Sequence, residues 1–284
     1  MKNKHYTIRT MTRSEIDIAV EWAAKEGWNP GLQDADSFYA ADPNGFLIGL
    51  LNGEPIACIS AVRYGDSFGF IGFYIVHPDY RGKGYGLQIW DAALDYLKGR
   101  NVGLDGVLEQ QENYKKSGFE LAYRNIRFEG KSSGKFPQHE GLVKLNSLPF
   151  EEIEAYDRTF FPDNRSAFLQ SWIRESNDKE GFAVVKEGQL QGYGMIRKCG
   201  LGYKIGPLFA DNANLAEVLL LALTANLSPE EVFYFDTPEV NQAAVDLAEK
   251  YGMKRVFETA RMYNQSNPAI DLQRLFGVTT FELG

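Results

Sequence analysis

The sequence predicts an α/β protein made of two tandem units, each a mixed, mostly antiparallel sheet flanked by helices. Three observations carry the prediction. An apolar strand near residue 71 runs through a glycine turn into an amphipathic helix. Upstream of it, two strand-like runs are joined by Asn52-Gly53, a strong hairpin signal. The order of elements then repeats: Ser117-Gly118-Phe119 is matched by Tyr251-Gly252-Met253 after 134 residues, and Gly53 by Gly188 after 135. Such a period marks an internal duplication.

In the first half, a strand over 6–9 leads into Thr12-x-x-Glu15, a capping box that opens a helix. Ile16, Ala19, Val20 and Ala23 give that helix one apolar stripe, and Gly27 ends it. Residues 28–37, with Asn29-Pro30-Gly31, are expected to form a loop, either a connector or a cover in which Trp28 reaches a substrate pocket. Strands over 46–51 and 55–62 flank the Asn52-Gly53 turn, read as type I′, and 67–76 returns as the third strand of a meander. In that third strand Ile71, Phe73, Ile75 and Val76 form a β-branched and aromatic run. It stops at Pro78, because proline has no N–H for the ladder. A helix over 87–98 follows, with Trp90, Ala93, Leu94 and Leu97 at helical spacing and Gly99 as its stop. A short strand over 102–104, a helix over 110–117 closed by Gly118, and a strand over 119–128 complete the unit.

Residues 130–141 (GKSSGKFPQHEG) carry glycine and charge without periodicity, and are expected to link a first domain, 1–130, to a second, 141–284. The second reads as a strand over 142–146, helices over 149–158 and 165–176, a hairpin over 182–191, and strands over 192–198 and 203–209. Asn214-x-x-Glu217 is expected to cap a helix over 215–225, with Leu215, Val218, Leu219 and Ala222 facing inward. There follow a buried strand over 232–235, a helix opened by Thr237 with Pro238 at its first position and ended by Gly252, and a strand over 253–263.

Of 284 residues, 44% are hydrophobic and 24% charged, the balance of a globular protein with room for two ordinary domains. No apolar run approaches the 18 or so residues of a membrane span. The N-terminal MKNKHYTIRTM lacks the apolar core of a signal peptide, so the expected setting is the cytoplasm, without a membrane partner. Cys58 and Cys199 belong to no C-x-x-C, and His5, His77 and His139 are scattered, so no catalytic metal is expected. A net charge of −8 argues against a nucleic-acid partner, which requires a basic stripe, and suits a cationic substrate.

The densest signal is IGFYIVHPDYRGKGYG at 71–86. Gly82, Gly84 and Gly86 ahead of a helix present backbone N–H groups at its positive end, a ready anion site. By itself a glycine triplet is equally a tight turn needing φ > 0. Lys83 is not followed by Ser or Thr, so this is no Walker A loop, and G-x-G-x-G is not the G-x-G-x-x-G of a dinucleotide fingerprint. What remains is Arg81-Gly82-Lys83-Gly84-Tyr85-Gly86 behind Val-His-Pro-Asp-Tyr, which closely resembles the acyl-CoA-binding motif of the GNAT family of N-acetyltransferases. The duplicated layout resembles a bacterial GNAT subfamily with a degenerate second domain. At the duplication offset Arg81, Gly82 and Gly84 fall on Leu215, Ala216 and Val218. A leucine-rich helix start without glycine keeps a pyrophosphate at a distance, so the cofactor is expected in the first half alone.

The resemblance implies acetyl-CoA as co-substrate and no metal. The pyrophosphate would lie on the backbone N–H groups from Arg81 to Gly86, with Arg81 and Lys83 adding charge. The thioester would lie beside a splayed strand at Ile75 and Val76, with the Val76 N–H facing its carbonyl. Tyr114-Lys115-Lys116-Ser117-Gly118-Phe119 matches the family's Tyr-x-x-x-Gly-Phe, whose hydroxyl lies near the sulfur. A phenol with a pKa of about 10 protonates the thiolate of a thiol near 8.5 only mildly uphill. On spacing alone Tyr114 also reads as a helix tyrosine covering the core; the second half has Ala248 at this place. One departure is Val107, where the family often has an Asn, while the second half keeps Asn241.

Asp105 and Glu109, just after the fifth strand, are candidates for the general base and are equally readable as solvated loop carboxylates. Tyr74 is a pocket candidate beside Trp28, and Asp157, Arg165 and Trp172 are candidates to face the cleft from the second half. Cys58 falls in a core strand away from the glycine loop, which leaves direct attack in a ternary complex as the expected route. The expected activity is acetyl transfer to a primary amine on a small molecule or peptide terminus. The competing reading is an acyl-CoA-binding sensor without turnover.

Overall fold

The computed structural model describes residues 5–284; the first four residues of the stretch MKNKHYTIRTM lie outside the described residues. The first half gives β1 (Tyr6–Thr10), α1 (Arg13–Lys25), α2 (Asp34–Ala41), β2 (Phe46–Leu51), β3 (Glu54–Tyr64), β4 (Phe68–Val76), α3 (Tyr85–Tyr96), β5 (Asn101–Val107), α4 (Gln111–Lys116) and β6 (Glu120–Lys131). The second gives β7 (Leu142–Lys144), α5 (Phe150–Asp157), α6 (Ser166–Trp172), β8 (Lys179–Lys186), β9 (Gln189–Lys198), β10 (Tyr203–Ala210), α7 (Ala213–Thr224), β11 (Val232–Pro238), α8 (Gln242–Lys250), β12 (Lys254–Tyr263) and β13 (Leu275–Gly277). Among the described residues no helix is long and apolar enough to cross a membrane.

Local chemistry places most elements. Asn52 and Gly53 both take positive φ, as a type I′ hairpin turn demands. The Glu15 carboxylate accepts the Thr12 N–H at 2.8 Å, and the hydrogen-bonded Arg9 guanidinium holds that carboxyl down to about 2. Four expectations are corrected. The stretch expected as a loop over 28–37 contains the start of α2, a helix stabilised by burial of Ala35 and Phe38, with Phe38 lying over Trp172 of α6 at 6.1 Å. The cap of α7 is Asn212, not Asn214: its side chain accepts the Leu215 N–H at 3.1 Å. Pro238 does not begin a helix. It is the last residue of β11, and Asn241 caps α8. β6 continues to Lys131, into the stretch expected as a linker.

The largest difference is in the sheet. The two halves share one sheet, ordered β1-β2-β3-β4-β5-β12-β6-β11-β10-β9-β8-β7, with β13 added on β10. The last strand of each half has crossed over, so that β12 lies on β5 and β6 on β11. All pairings are antiparallel except β4 with β5 and β10 with β11. Helices α1, α2, α5 and α6 pack on one face, α3 with α4 and α7 with α8 on the other.

Two buried ion pairs fasten the exchange. Arg261 on β12 grips Asp105 on β5 with Nε–Oδ1 and Nη2–Oδ2 distances of 2.8 and 2.7 Å. Arg127 on β6 grips Asp236 on β11 at 2.7 Å through both nitrogens. Each pair joins a strand of one half to a strand of the other, and each sits opposite its partner in register. Planar bidentate geometry offsets the desolvation of such charges only while both partners remain. Accordingly, Arg127→Met is expected to cost about 3–5 kcal/mol in urea denaturation, and Arg127→Met with Asp236→Leu to return most of that loss.

Candidate active site

β4 and β5 pair in parallel from Phe68 with Asn101 to Ile71 with Leu104, and no further. Beyond that point β5 stays on β12 while β4 stays on β3, so the two strands part. A bulge in β4 bends it away. Gly72 faces Ser60 and Ile75 faces Cys58, leaving Phe73 and Tyr74 against Ile59, with Phe73 at φ +47°. His77 N–H donates to Ile56 O on β3 at 2.9 Å. Alternation along the strand therefore turns the Val76 N–H to the opposite edge, toward the gap.

The gap is a cavity of about 480 Å³. At its mouth the chain turns through Gly82 (φ +72°) and Gly84 (φ +83°), where an added Cβ would meet nothing within 4 Å. Glycine is needed there for the backbone conformation and leaves the approach open. Gly84 is the N-cap of α3, so the free N–H groups of the first turn present positive charge beside the loop. Gly86 has a different task. A Cβ there would lie 2.8 Å from Tyr74 Oη and 3.0 Å from Val76 Cγ2, so its absence lets α3 rest directly on β4.

Of the expected donor-binding residues, Ile75, Val76, Arg81, Gly82, Gly84, Gly86 and Tyr114 line the cavity, and Lys83 and Tyr85 stand outside its wall. Arg81 is held by Val76 O, 2.8 Å from Nε, and by an ion pair with Glu26. Lys83 lies against the Asp79 carbonyl and over the Tyr80 ring at 5.5 Å. Tyr114 is nearly buried on α4. Its ring packs beside Trp90 at 5.5 Å and over Gly106, where any side chain would overlap it. Burial pushes the Tyr114 phenol up, and the Tyr74 phenol adds to the effect.

Trp28 and Tyr74, the other pocket candidates, line the cavity. Five other expectations need correction. Asp105 is no solvated loop carboxylate: β5 runs past it, its side chain is fully buried, and Arg261 and the Asn125 amide (2.8 Å) hold it. Glu109 sits exposed on a short turn after β5 and does not line the cavity. Asp157 and Arg165 form a buried pair at 2.7 and 2.8 Å, away from the cleft. Trp172 is wholly buried, its Nε1 donating to Gly206 O at 3.0 Å. Cys58 is likewise buried, its thiol against Phe73 O and pushed up by desolvation. Among the described residues no group of three or more His, Cys, Asp or Glu could hold a metal ion.

The second half contributes residues that periodicity did not mark. Thr259 of β12 lines the cavity because the strand exchange pairs it with Val107 of β5, and Phe257, two residues earlier on the same strand and opposite Arg127 of β6, lines it too. Phe281 and Glu282 line it from the segment after β13, whose residues 278–284 are all buried. Gly72 admits this segment: a Cβ there would collide with the Glu282 carbonyl.

The corresponding gap in the second half is filled. β10 and β11 pair only over Tyr203–Ile205, and β13 then adds to β10 at Leu208 and Phe209. Asn241, the position that is Val107 in the first half, donates its amide to Gln273 O and Leu275 O at 3.1 and 3.0 Å. Val278 N–H donates to Asp236 O at 2.9 Å. The chain's own strand occupies the slot, and the helix behind it begins without glycine. Gly106→Ala is expected to dislodge Tyr114 and cost about 1–3 kcal/mol by overpacking, measured by urea denaturation.

Comparison with known proteins agrees with this geometry. Residues 13–119 match the Acetyltransferase (GNAT) family and residues 153–277 an Acetyltransferase (GNAT) domain. The chain is 31% identical over 283 residues to Holothin acyltransferase of Pseudoalteromonas sp. (strain SANK 73390), covering 100% of this chain and 96% of that one. It is 24% identical over 237 residues to the uncharacterized N-acetyltransferase YitH of Bacillus subtilis, covering 82% and 83%. In fold it is similar to an acetyltransferase from Pyrococcus horikoshii, described as putative in its name, with a TM-score of 0.82, 24% identity and coverage of 100% and 99%. It is also similar to a tandem GNAT protein from the clavulanic acid biosynthesis pathway, with a TM-score of 0.64, 12% identity and coverage of 93% and 99%. Two GNAT units in tandem, and a relative matched from end to end, place the chain in the GNAT family of acyltransferases.

Proposed function

We propose that the protein transfers an acetyl group from acetyl-CoA to a primary amine on a small molecule or peptide terminus, by direct attack in a ternary complex. The observation that carries the reading is the opened β4–β5 gap, with the glycine turn at its mouth and Tyr114 in its wall. In this reading residues 1–130 hold the donor and 141–284 shape the acceptor side. The Gly82–Gly86 turn and the start of α3 hold the pyrophosphate. Arg81, already tied to Val76 O and Glu26, stiffens the turn at least as much as it supplies charge. A cavity of this size favours a small acceptor. A relative named Holothin acyltransferase, matched over 96% of its length, supports acyl transfer.

The neutral amine attacks the thioester carbonyl, forming the C–N bond while the oxyanion takes the Val76 N–H. Collapse breaks the C–S bond. The Tyr114 hydroxyl gives its proton to the departing thiolate, and the phenol recovers one from the nitrogen. The sum is amine plus thioester to amide plus thiol. Burial lifts the phenol, and it would lift a thiolate in the same surroundings, so the two remain matched. The buried Cys58 thiol is out of reach of such chemistry.

A thermal-shift titration of the full chain with acetyl-CoA, CoA, ATP and NAD tests donor binding. At about 100 times its dissociation constant a ligand stabilises by roughly 2.7 kcal/mol. That shift is expected from both CoA forms, and from neither in Gly84→Glu. In an assay of thiol release, Tyr114→Phe is expected to lower kcat about 100-fold with the KM for acetyl-CoA unchanged. Because burial raises the phenol, wild-type kcat is expected not to fall between pH 8 and about 10 through its ionisation. Retained turnover in Tyr114→Phe would remove the hydroxyl from the mechanism, and binding without turnover in the wild type would favour the sensor reading.

A further inference from the structure

The Thr259 hydroxyl lines the cavity, and it is buried without a hydrogen-bond partner on a residue only 2% exposed. On β12 Thr259 stands between Val107 of β5 and Asn125 of β6, and the three side chains share one face of the sheet. Were the β4–β5 register to continue past Ile71 and Leu104, Val107 would face Tyr74. Thr259 is therefore level with the stretch of β4 that opens the gap. Beside it, Asn125 gives its amide N–H to the Asp105 carboxylate at 2.8 Å, which leaves Oδ1 as a second buried, unpartnered atom. Such atoms are costly until a ligand pairs them.

The charges about the cavity, by contrast, are already matched. Glu26 pairs with Arg81, and Asp105 with Arg261. Glu282, also in the lining, has Arg197 and Lys204 acting on it through space. Both Arg197 Nη atoms lack any other partner, and among the described residues Lys204 forms no ion pair with another carboxylate. Phe257 and Phe281 already carry the Arg127 guanidinium, at 5.5 and 4.9 Å from their ring centres. With Trp28 and Phe73 they offer a ligand apolar contact, not a seat for a second cation. An ammonium entering this chamber would lose its hydration and meet no uncompensated carboxylate.

We propose that Thr259 holds the acceptor by taking an amine N–H at Oγ1, and that the acceptor is a weakly basic amine, uncharged at neutral pH, on a flat or apolar body. The inference rests on the acyl-transfer reading above and adds the acceptor's chemistry to it. The Asn125 oxygen draws the Thr259 hydroxyl proton to its side, so that the lone pairs of Oγ1 are left for the amine. The nitrogen lone pair stays free for the thioester carbonyl, and no proton has to leave before the C–N bond forms. As the C–S bond breaks, the nitrogen gives up its proton and the thiolate gains one, by the Tyr114 route already described.

The test uses the full chain, acetyl-CoA and two probes, aniline (neutral at pH 7) and benzylamine (an ammonium at pH 7). In the wild type, kcat/KM at pH 7 is expected to be about 10-fold or more higher for aniline. Thr259→Val, which keeps the shape and removes the hydroxyl, is expected to lower kcat/KM for aniline about 10-fold. The loss should appear in the KM for the amine, with the KM and thermal shift for acetyl-CoA unchanged. Thr259→Ser, which restores the hydroxyl, is expected to stay within about 3-fold of wild type. Benzylamine turned over as well as aniline would overturn the proposal, and this comparison needs no variant to fold. So would Thr259→Val at the wild-type rate, Thr259→Ser as impaired as Thr259→Val, or a wild type that binds acetyl-CoA but turns over neither amine. A wild type with no acetyl-CoA shift at all would instead sink the acyl-transfer reading beneath it.

Discussion

The structure depends on two guanidinium–carboxylate pairs placed where water cannot reach them. Asp105–Arg261 and Asp236–Arg127 stand in register on either side of the β12–β6 seam. Apolar contact would hold strands together in many registers, but a bidentate pair in a dry sheet admits one. With these pairs formed, β12 must lie on β5, and Phe257 and Thr259 are delivered to the cavity wall. The same seam gives the two gaps, at β4–β5 and β10–β11, their common layout. The second-half wall of the cavity is thus a product of strand exchange, not of the glycine turn.

What was legible in the sequence was local. The strand, turn and helix over 71–98 are consecutive, so β-branching, the Pro78 stop and the glycine spacing state the geometry outright, down to the positive φ of Gly82 and Gly84. The resemblance to the family added the splay, and the bulge at Phe73 gives its physical cause. The exchange was not legible, because β6 and β12 carry equivalent patterns and nothing in either says which neighbour it will take. Asp105 was placed after its strand because Gly103 and Gly106 thin the apolar run that would have carried β5 past it. Asp157, Arg165 and Trp172 have side chains that suit a cleft or a core equally well, and only packing decides between them. Glu282 lies in a stretch without periodicity, so its burial has no local signature.

The two halves also show one duplication serving two ends. Both open a parallel strand pair at the same point. In the first the opening is left as a cavity behind a glycine turn, and in the second the chain inserts β13 into it. Asn241 explains itself in this light. Its amide sits where the family's asparagine stands, and it binds the carbonyls of Gln273 and Leu275.

That insertion ties the first half to the last part of the chain. After β13 the segment turns under β4, where Gly72 makes room for the Glu282 carbonyl, and floors the cavity with Phe281 and Glu282. Floor and mouth of one chamber come from opposite halves of the sequence, a contact of long sequence separation whose closure entropy must be met. A first half alone would have a glycine turn, a helix and no bottom to its pocket. The duplicated half has therefore ceased to be a spare copy: it is the jig on which the chamber is completed.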